Sequence, residues 1–188
     1  MPNHCWNYLQ APDGDMSVFE QYLTTKMRGS PFISDVPLSD DEELCLAPDC
    51  GYPETFLDFQ KIIPMAQNLL NGDGWYDWRI RHWGTKWNSY DGHVQDEGIG
   101  FNTAWGPPTP VIAALSKLVQ KPLRLTFDEP GNDFCGEFLA NPDGTCVDNT
   151  YSPRDQAPEA LRDELGIDDE EELDRLYEQQ LQEATGQD

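Results

Sequence analysis

Four of the chain's six tryptophans lie within 14 residues, from Trp75 to Asn88, in the segment WYDWRIRHWGTKWN. Each aromatic side chain has a large apolar surface, whose burial in a core or against a binding partner is favourable. Only 38% of the 188 residues are hydrophobic, so this segment holds much of the surface available for a core. Its position in the fold therefore constrains how the rest of the chain can be arranged.

Two periodicities compete in the tryptophan-rich segment. Alternation of ring-bearing or apolar residues with polar ones from 76 to 82 is typical of a strand, whereas apolar residues at 76, 80, 83 and 87 follow helical spacing. Asp73 stands where a helix cap is expected, and Gly84 where a helix would end. We predict a helix over 75–83.

The remaining apolar patterns predict two strand–helix–strand units. Ser17 and Glu20 have the spacing of a capping box, and Thr109 with Pro110 marks the start of a second helix. The predicted elements are strands over 5–10, 56–63, 99–105 and 123–128, helices over 17–28 and 109–121, and a hairpin over 134–151 that turns at 141–144.

Two such units predict an α+β protein of the ferredoxin-like class. In that fold a split β–α–β arrangement forms an antiparallel sheet with two helices on one face. The tryptophan-rich helix and the hairpin are then insertions. We expect them to cover the opposite face of the sheet.

Two segments interrupt or follow this pattern. Residues 30–55 contain four prolines and no periodicity, which predicts a long mobile insertion. Pro158 and Gly166 bracket a short predicted helix, and Asp168 is placed to cap another. We divide the chain into a ferredoxin-like domain at 1–153, with an acidic insertion at 30–55, and an acidic helical extension at 154–188.

The chain is strongly acidic, with 35 acidic and 12 basic residues and a formal net charge of −23 at pH 7. Such a charge repels nucleic acid and anionic membranes and attracts basic protein surfaces, although it also serves solubility alone. We predict a basic host protein or nucleoprotein complex as partner, with no direct nucleic-acid or membrane binding. The predicted contact residues are Asp40, Asp41, Glu42, Glu43, Asp168, Asp169, Glu170, Glu171 and Glu172.

An alternative function is single-stranded nucleic-acid binding by the tryptophan-rich segment. Indole rings stack on bases, and nearby cations neutralise phosphates. The candidate residues are Trp78, Arg79, Arg81, His82 and Lys86. The same residues are equally explained as a packed cluster whose arginines pair with acids such as Asp77, Glu129 or Asp133, and the surrounding negative charge favours this structural interpretation.

Evidence for catalysis is weak. The sequence has no glycine-rich phosphate loop, no GxSxG motif and no HExxH motif. Acid pairs such as Asp96 with Glu97, or Asp128 with Glu129, suggest a metal-dependent enzyme only faintly, because such pairs arise freely in a chain with 35 acids. We predict no catalytic residues, no metal and no cofactor.

Five cysteines form an odd set without a CxxC motif, and no apolar run approaches the ~18 residues of a membrane span. These features are typical of a reduced cytoplasmic protein. Centred on the predicted turn, Cys146 faces Leu139 or Ala140, which argues against a hairpin disulfide with Cys135.

Several longer motifs resemble a known family. They are MPNH at 1–4, FQKIIPM at 59–65, WYDWRIRHWGTKWN at 75–88, FNTAWGPPTPVI at 101–112 and EPGNDFCGEF at 129–138. With them the chain resembles the YubB-like family of ferredoxin-like domains in bacteriophage and plasmid proteins. The resemblance implies the fold and a mobile-genetic-element origin, and it implies no activity, since that family is uncharacterised.

Together, acidity and resemblance predict a non-enzymatic inhibitor. Small acidic phage proteins can imitate the phosphate array of nucleic acid and occupy the basic cleft of a host machine. We predict that this chain binds and inhibits a nucleic-acid-handling or defence complex, as an anti-CRISPR or anti-restriction protein does, in the cytoplasm of a bacterial host. The sequence predicts no oligomeric state.

Overall fold

The structure is a computed structural model that describes residues 3–28, 52–70 and 74–167. Both predicted acidic clusters, at 40–43 and 168–172, lie outside these ranges, as do Asp73 and most of the insertion at 30–55. The described residues include the whole of the predicted sheet.

The described residues form two antiparallel sheets and several short helices. The strands are β1 (His4–Gln10), β2 (Leu23–Arg28), β3 (Tyr52–Leu57), β4 (Tyr90–Val94), β5 (Ile99–Ala104), β6 (Leu123–Glu129), β7 (Phe134–Ala140) and β8 (Cys146–Tyr151). The helices are α1 (Phe59–Ile62), α2 (Gln67–Leu70), α3 (Trp75–Trp83), α4 (Thr109–Val119) and α5 (Glu159–Leu165), with 3₁₀ turns at Met16–Tyr22 and Arg154–Gln156.

The main sheet confirms the ferredoxin-like prediction. Its strand order is β4-β5-β1-β6-β7-β8, while β2 and β3 pair separately. The four strands β4, β5, β1 and β6 have the order of a split β–α–β sheet, with α3 between β1 and β4 and α4 between β5 and β6. The hairpin β7–β8 extends this sheet at the edge of β6.

The core lies between the sheet and its helices. Alternation along β1 turns Cys5, Asn7 and Leu9 inward, and all three are fully buried. Helix α4 packs Ile112 and Leu115 against the same core. Its last turn ends at Gln120, whose left-handed backbone (φ +55°) closes the helix just before Pro122.

The predicted helix at 17–28 is wrong over its second half. A 3₁₀ turn ends at Tyr22, and the chain continues as β2. Asp15, not Ser17, caps the turn, because its carboxylate accepts a hydrogen bond from the Ser17 N–H. The β-branched residues Thr24 and Thr25 favour the strand, and pairing with β3 stabilises it.

The predicted strand at 56–63 is wrong beyond Leu57. Asp58 accepts a hydrogen bond from the Gln60 N–H at 3.0 Å and starts helix α1. The second strand of the main sheet is instead β4, which the sequence pattern did not predict. Only its first residue, Tyr90, is buried, so β4 lacks the apolar alternation by which strands are recognised.

Helix α3 confirms the prediction at 75–83, and Gly84 closes it with a left-handed backbone (φ +79°). Gly74, not Asp73, is the residue at its amino-terminal cap. The expectation that this helix and the hairpin cover the opposite face of the sheet is wrong. Trp83 packs in the same core as α4, so both helices lie on one face.

The opposite face is covered in part by the chain after the hairpin. Ala157, Leu161 and Ile167 form a small second core with Cys135 of β7. Helix α5 ends at Gly166, as predicted. This extension lies over the β7 side of the sheet and leaves Trp6 of β1 partly exposed.

The hairpin register confirms that its cysteines are not paired. Cys146 lies opposite Ala140, and Cys135 lies opposite Tyr151. Cys5 and Cys135 are buried thiols, and burial raises the pKa of Cys135 to about 11. Among the described helices, none has the length and apolar character needed to cross a bilayer.

Replacement of Leu125 tests the assigned core. Leu125→Ala removes a fully buried side chain from the centre of β6, so we expect the free energy of unfolding to fall by about 2–5 kcal/mol. Leu118→Ala is the matched control, because Leu118 of α4 is 51% exposed and its loss should change stability by less than about 0.5 kcal/mol. Urea unfolding of both variants measures the difference; equal losses would contradict the placement of the core.

Candidate binding face and the tryptophan-rich helix

Arg79 of α3 is a buried part of the fold. Its guanidinium carbon lies 5.1 Å from the ring centroid of Trp75 and 4.9 Å from that of Trp83. One guanidinium nitrogen, Nη1, donates a hydrogen bond to the Lys86 carbonyl oxygen at 3.2 Å, and burial lowers the pKa of Arg79. Placed between two indoles, this side chain is held by cation–π contacts and is not directed towards a phosphate.

The tryptophans of α3 pack towards the core. Trp83 is fully buried, and its Nε1 donates to the Ile63 carbonyl oxygen at 2.9 Å. Trp78 packs against the core and stacks on His82, with ring centroids 4.5 Å apart. These contacts support the structural interpretation of the segment.

Only part of the predicted nucleic-acid site is open to solvent. Arg79 is buried, Trp78 and His82 are half-buried, and Arg81 is exposed. Lys86 lies 3.8 Å from the ring centroid of Trp87. Asp133, which the sequence suggested as a partner of these arginines, instead lies 3.6 Å from Arg154.

A different surface presents aromatic rings to solvent. Trp6 and Tyr8 occupy the alternate positions of β1 and project from the face opposite the helices. Their rings are stacked, with centroids 5.9 Å apart and planes inclined by 5°. Trp6 is 36% exposed, although it belongs to a strand in the middle of the sheet.

Two glycines, Gly98 just before β5 and Gly100 within it, form the neighbouring part of this surface. The ring of Tyr8 covers Gly98 so closely that an added Cβ would lie 2.5 Å from Tyr8 Cζ. The imidazole of His93 lies over Gly100 in the same way, with Cδ2 3.1 Å from the position of a Cβ. We call the surface formed by Trp6, Tyr8, His93, Gly98 and Gly100 the aromatic face.

The cations beside the aromatic face are already bound by carboxylates. Arg154 Nη1 donates to both oxygens of Asp128, at 3.2 and 2.9 Å, and Asp128 is directly opposite Trp6. Arg124 donates to Glu137 at 3.0 Å and to the two oxygens of Glu164 at 2.7 and 2.8 Å. Neither guanidinium is placed to receive a further anion.

Further carboxylates lie near Tyr8. Burial raises the pKa of the Tyr8 phenol, and the charges of Glu97 and Glu164 raise it further. The Tyr8 hydroxyl donates to Gln95 Oε1 at 3.4 Å. The aromatic face therefore combines exposed rings with a negative surround.

The acid pairs weighed as a metal site are not arranged as one. Asp128 and Glu129 are successive residues of β6, so they project to opposite faces of the sheet, and Glu129 accepts a hydrogen bond from the Asn132 N–H. Asp96 and Glu97 are exposed in the turn between β4 and β5. Within the described ranges, no group of three His, Cys, Asp or Glu residues could hold a metal ion.

Sequence reasoning missed the aromatic face, although its signal was present. The segment CWNYLQ alternates aromatic residues with Cys5, Asn7 and Leu9, and both sets are apolar enough to be assigned to a core. Strand order decides which set lies under the helices. Gly98, just before β5, and Gly100, within it, gave a second signal, because a glycine in or beside a strand often marks the close approach of another group.

A comparison with known protein families agrees with this fold. The family model described as "Ferredoxin-like domain in Api92-like protein" matches residues 82–182. Among solved structures, the chain is similar to the crystal structure of a protein api92 from Yersinia pseudotuberculosis, with 19% sequence identity and a TM-score of 0.41. That similarity covers 53% of this chain and spans 40% of the other. No curated protein matches the sequence.

Arg79 and Arg81 provide a matched test of the tryptophan-rich helix. Arg79→Ala removes a guanidinium held between two indoles, so we expect a loss of about 2 kcal/mol or more in the free energy of unfolding. Arg81→Ala, on an exposed position of the same helix, should change it by less than about 0.5 kcal/mol. Chemical unfolding monitored by tryptophan fluorescence measures both; an unchanged Arg79→Ala variant would mean that the segment is not a packed cluster.

Gly98, just before β5, and Gly100, within it, test the geometry of the aromatic face. Gly98→Ala places a Cβ 2.5 Å from the Tyr8 ring and 2.8 Å from the Leu9 carbonyl oxygen, so we expect a loss of about 1–3 kcal/mol in stability. Gly100→Ala meets only the exposed His93 side chain, which can rotate away, and should lose under about 1 kcal/mol. Thermal unfolding compares them. A larger loss for Gly100→Ala would contradict the position of Tyr8.

Proposed function

We propose a function for this chain, which belongs to the family described as "Ferredoxin-like domain in Api92-like protein". The chain acts by binding a basic protein and has no catalytic activity. The proposed partner is a host nucleic-acid-handling or defence complex, which the chain inhibits by occupying a cationic cleft. The chain would then act as a mimic of nucleic acid.

The observation that carries the proposal is the charge and its distribution. The formal net charge is −23, and several basic side chains are engaged within the fold. Arg79 is buried between indoles, and Lys121 binds Asp13 and Asp15 at 2.6 and 2.7 Å. The hydrogen bond from the Lys121 ammonium favours the charged carboxylate and lowers the pKa of Asp15 to about 2. A surface of this kind attracts cationic partners quickly and in a salt-dependent manner.

We assign the main contacts to the acidic clusters at 40–43 and 168–172, which lie outside the described residues. Each cluster has four or five successive acidic residues in the sequence, and such a run of negative charge favours a cationic partner. The resemblance to YubB-like proteins of bacteriophages and plasmids supports a mobile-element origin and a site of action in the host cytoplasm.

Single-stranded nucleic-acid binding remains the alternative, and the structure gives it less support. A strand bound along α3 would need several exposed cations beside exposed rings, but Arg79 is buried and Arg81 is the exposed arginine of that helix. Use of the charge for solubility alone is the other alternative. It predicts no specific partner.

Purification of partners from a nuclease-treated bacterial lysate tests the proposal. We expect the immobilised chain to retain a basic nucleic-acid-binding protein at low salt and to release it as ionic strength rises, because the contact is electrostatic. The purified chain should then displace duplex DNA from that protein. Binding of a labelled oligonucleotide by the chain itself in a gel-shift titration would contradict the proposal. It would also be contradicted if the chain failed to displace duplex DNA from the recovered protein.

A pair of charge variants separates a specific contact from general attraction. We expect a variant with Asp40→Asn, Asp41→Asn, Glu42→Gln and Glu43→Gln to lose most of its binding. The control carries Asp148→Asn, Asp155→Asn, Glu159→Gln and Asp163→Asn, which change the net charge equally at exposed positions. Equal binding by the two variants would show that the cluster at 40–43 is not a contact surface.

A further inference from the structure

We propose that the aromatic face is a second contact surface of this protein and binds an arginine-containing segment of the basic partner. The inference rests on the proposed function, because it takes the partner to be cationic. It adds the surface that would recognise one type of side chain in that partner.

The geometry of the rings suits a planar cation. Trp6 is 36% exposed and is supported from one side by Tyr8, at 5.9 Å and nearly parallel. A guanidinium group stacks on an indole face by cation–π and planar contact, and it gives up its hydration more readily than an ammonium. The fold already contains this interaction, since Arg79 lies between Trp75 and Trp83.

The charges beside the rings select a cation over an anion. Asp128, directly opposite Trp6, and Glu137, on the same face of β7, already bind Arg154 and Arg124. The negative charges of Glu97 and Glu164 also act on Tyr8, since both raise the pKa of its phenol. An incoming guanidinium would enter this negative surround, whereas the phosphates of a nucleic acid would meet carboxylates and two arginines that are already bound.

The surroundings also provide hydrogen-bond acceptors for such a segment. Asn102 lies opposite Trp6 on β5, and its Nδ2 donates to Asp91 Oδ2 at 3.4 Å. Gly100 lies opposite Tyr8, but the imidazole of His93 covers it, and the Tyr8 ring covers Gly98. A peptide would therefore lie over the rings, with its arginine on the exposed part of the Trp6 indole.

A direct binding measurement tests the inference. The probe is a short fluorescein-labelled peptide in which arginine and glycine alternate, and the reference peptide has citrulline in place of each arginine. We expect fluorescence anisotropy to show binding of the arginine peptide, with a Kd at least about fivefold higher for Trp6→Thr and for Tyr8→Thr. Threonine keeps the β-propensity of the strand, and neither substitution changes the net charge.

Tyr76→Ala is the matched control. Tyr76 is an aromatic residue of α3 that is 50% exposed, and α3 packs on the helix side of the sheet. Its loss should leave the Kd within about twofold of the unsubstituted protein. A titration of the unsubstituted protein followed by NMR should shift the Trp6 indole signal first, which tests the inference even if a β1 variant fails to fold.

The outcomes separate this inference from the proposed function. If Trp6→Thr binds the arginine peptide as tightly as the unsubstituted protein and salt weakens both equally, the aromatic face is not the site, although attraction to cations stands. If the unsubstituted protein does not bind the peptide but recovers a basic protein from the lysate, the inference fails alone. Tighter binding of a single-stranded oligonucleotide, lost in Trp6→Thr, would overturn both.

Discussion

Much of the structure depends on the position of β1 in the middle of the main sheet. It pairs with β5 on one side and β6 on the other, so its backbone is fixed along its length. Side chains alternate between the two faces along a strand, so the alternation that turns Leu9 into the core turns Trp6 away from it. The core and the aromatic face are therefore two sides of one short segment.

A second constraint is the way in which the fold uses its few cations. Arg124 and Arg154 bind carboxylates on the face that carries Trp6. Arg124 of β6 binds Glu164 of α5, and Arg154, which follows the hairpin, binds Asp128 of β6. Both ion pairs therefore join the sheet to the chain after the hairpin. Arg154 and Asp128 are largely withdrawn from solvent, where removal of one partner would leave an uncompensated charge. These two arginines thus stabilise the fold internally, in a chain where 35 acidic residues outnumber 12 basic ones.

Sequence reasoning predicted the class, the helices over 75–83 and 109–121, and the hairpin with its register, because each carries strong local signals. Gly84 and Pro122 end the helices, and the turn at 141–144 fixes which residues of the hairpin face each other. It failed at β2 and β4, where pairing in three dimensions decides the structure and the local pattern is weak. The aromatic face could not be predicted without strand order, since Trp6 and Leu9 look equally suited to a core.

The small sheet formed by β2 and β3 has a consequence for how this protein can change over generations. Its register brings Arg28 opposite Tyr52, so the two points between which residues 29–51 are inserted are held side by side. Lengthening a connection between fixed neighbours is thermodynamically mild, since each doubling costs only about 0.6 kcal/mol of closure entropy. The junction is therefore suited to accept rapid divergence: sequence can be gained, lost or exchanged there while the framework beneath it is inherited unaltered.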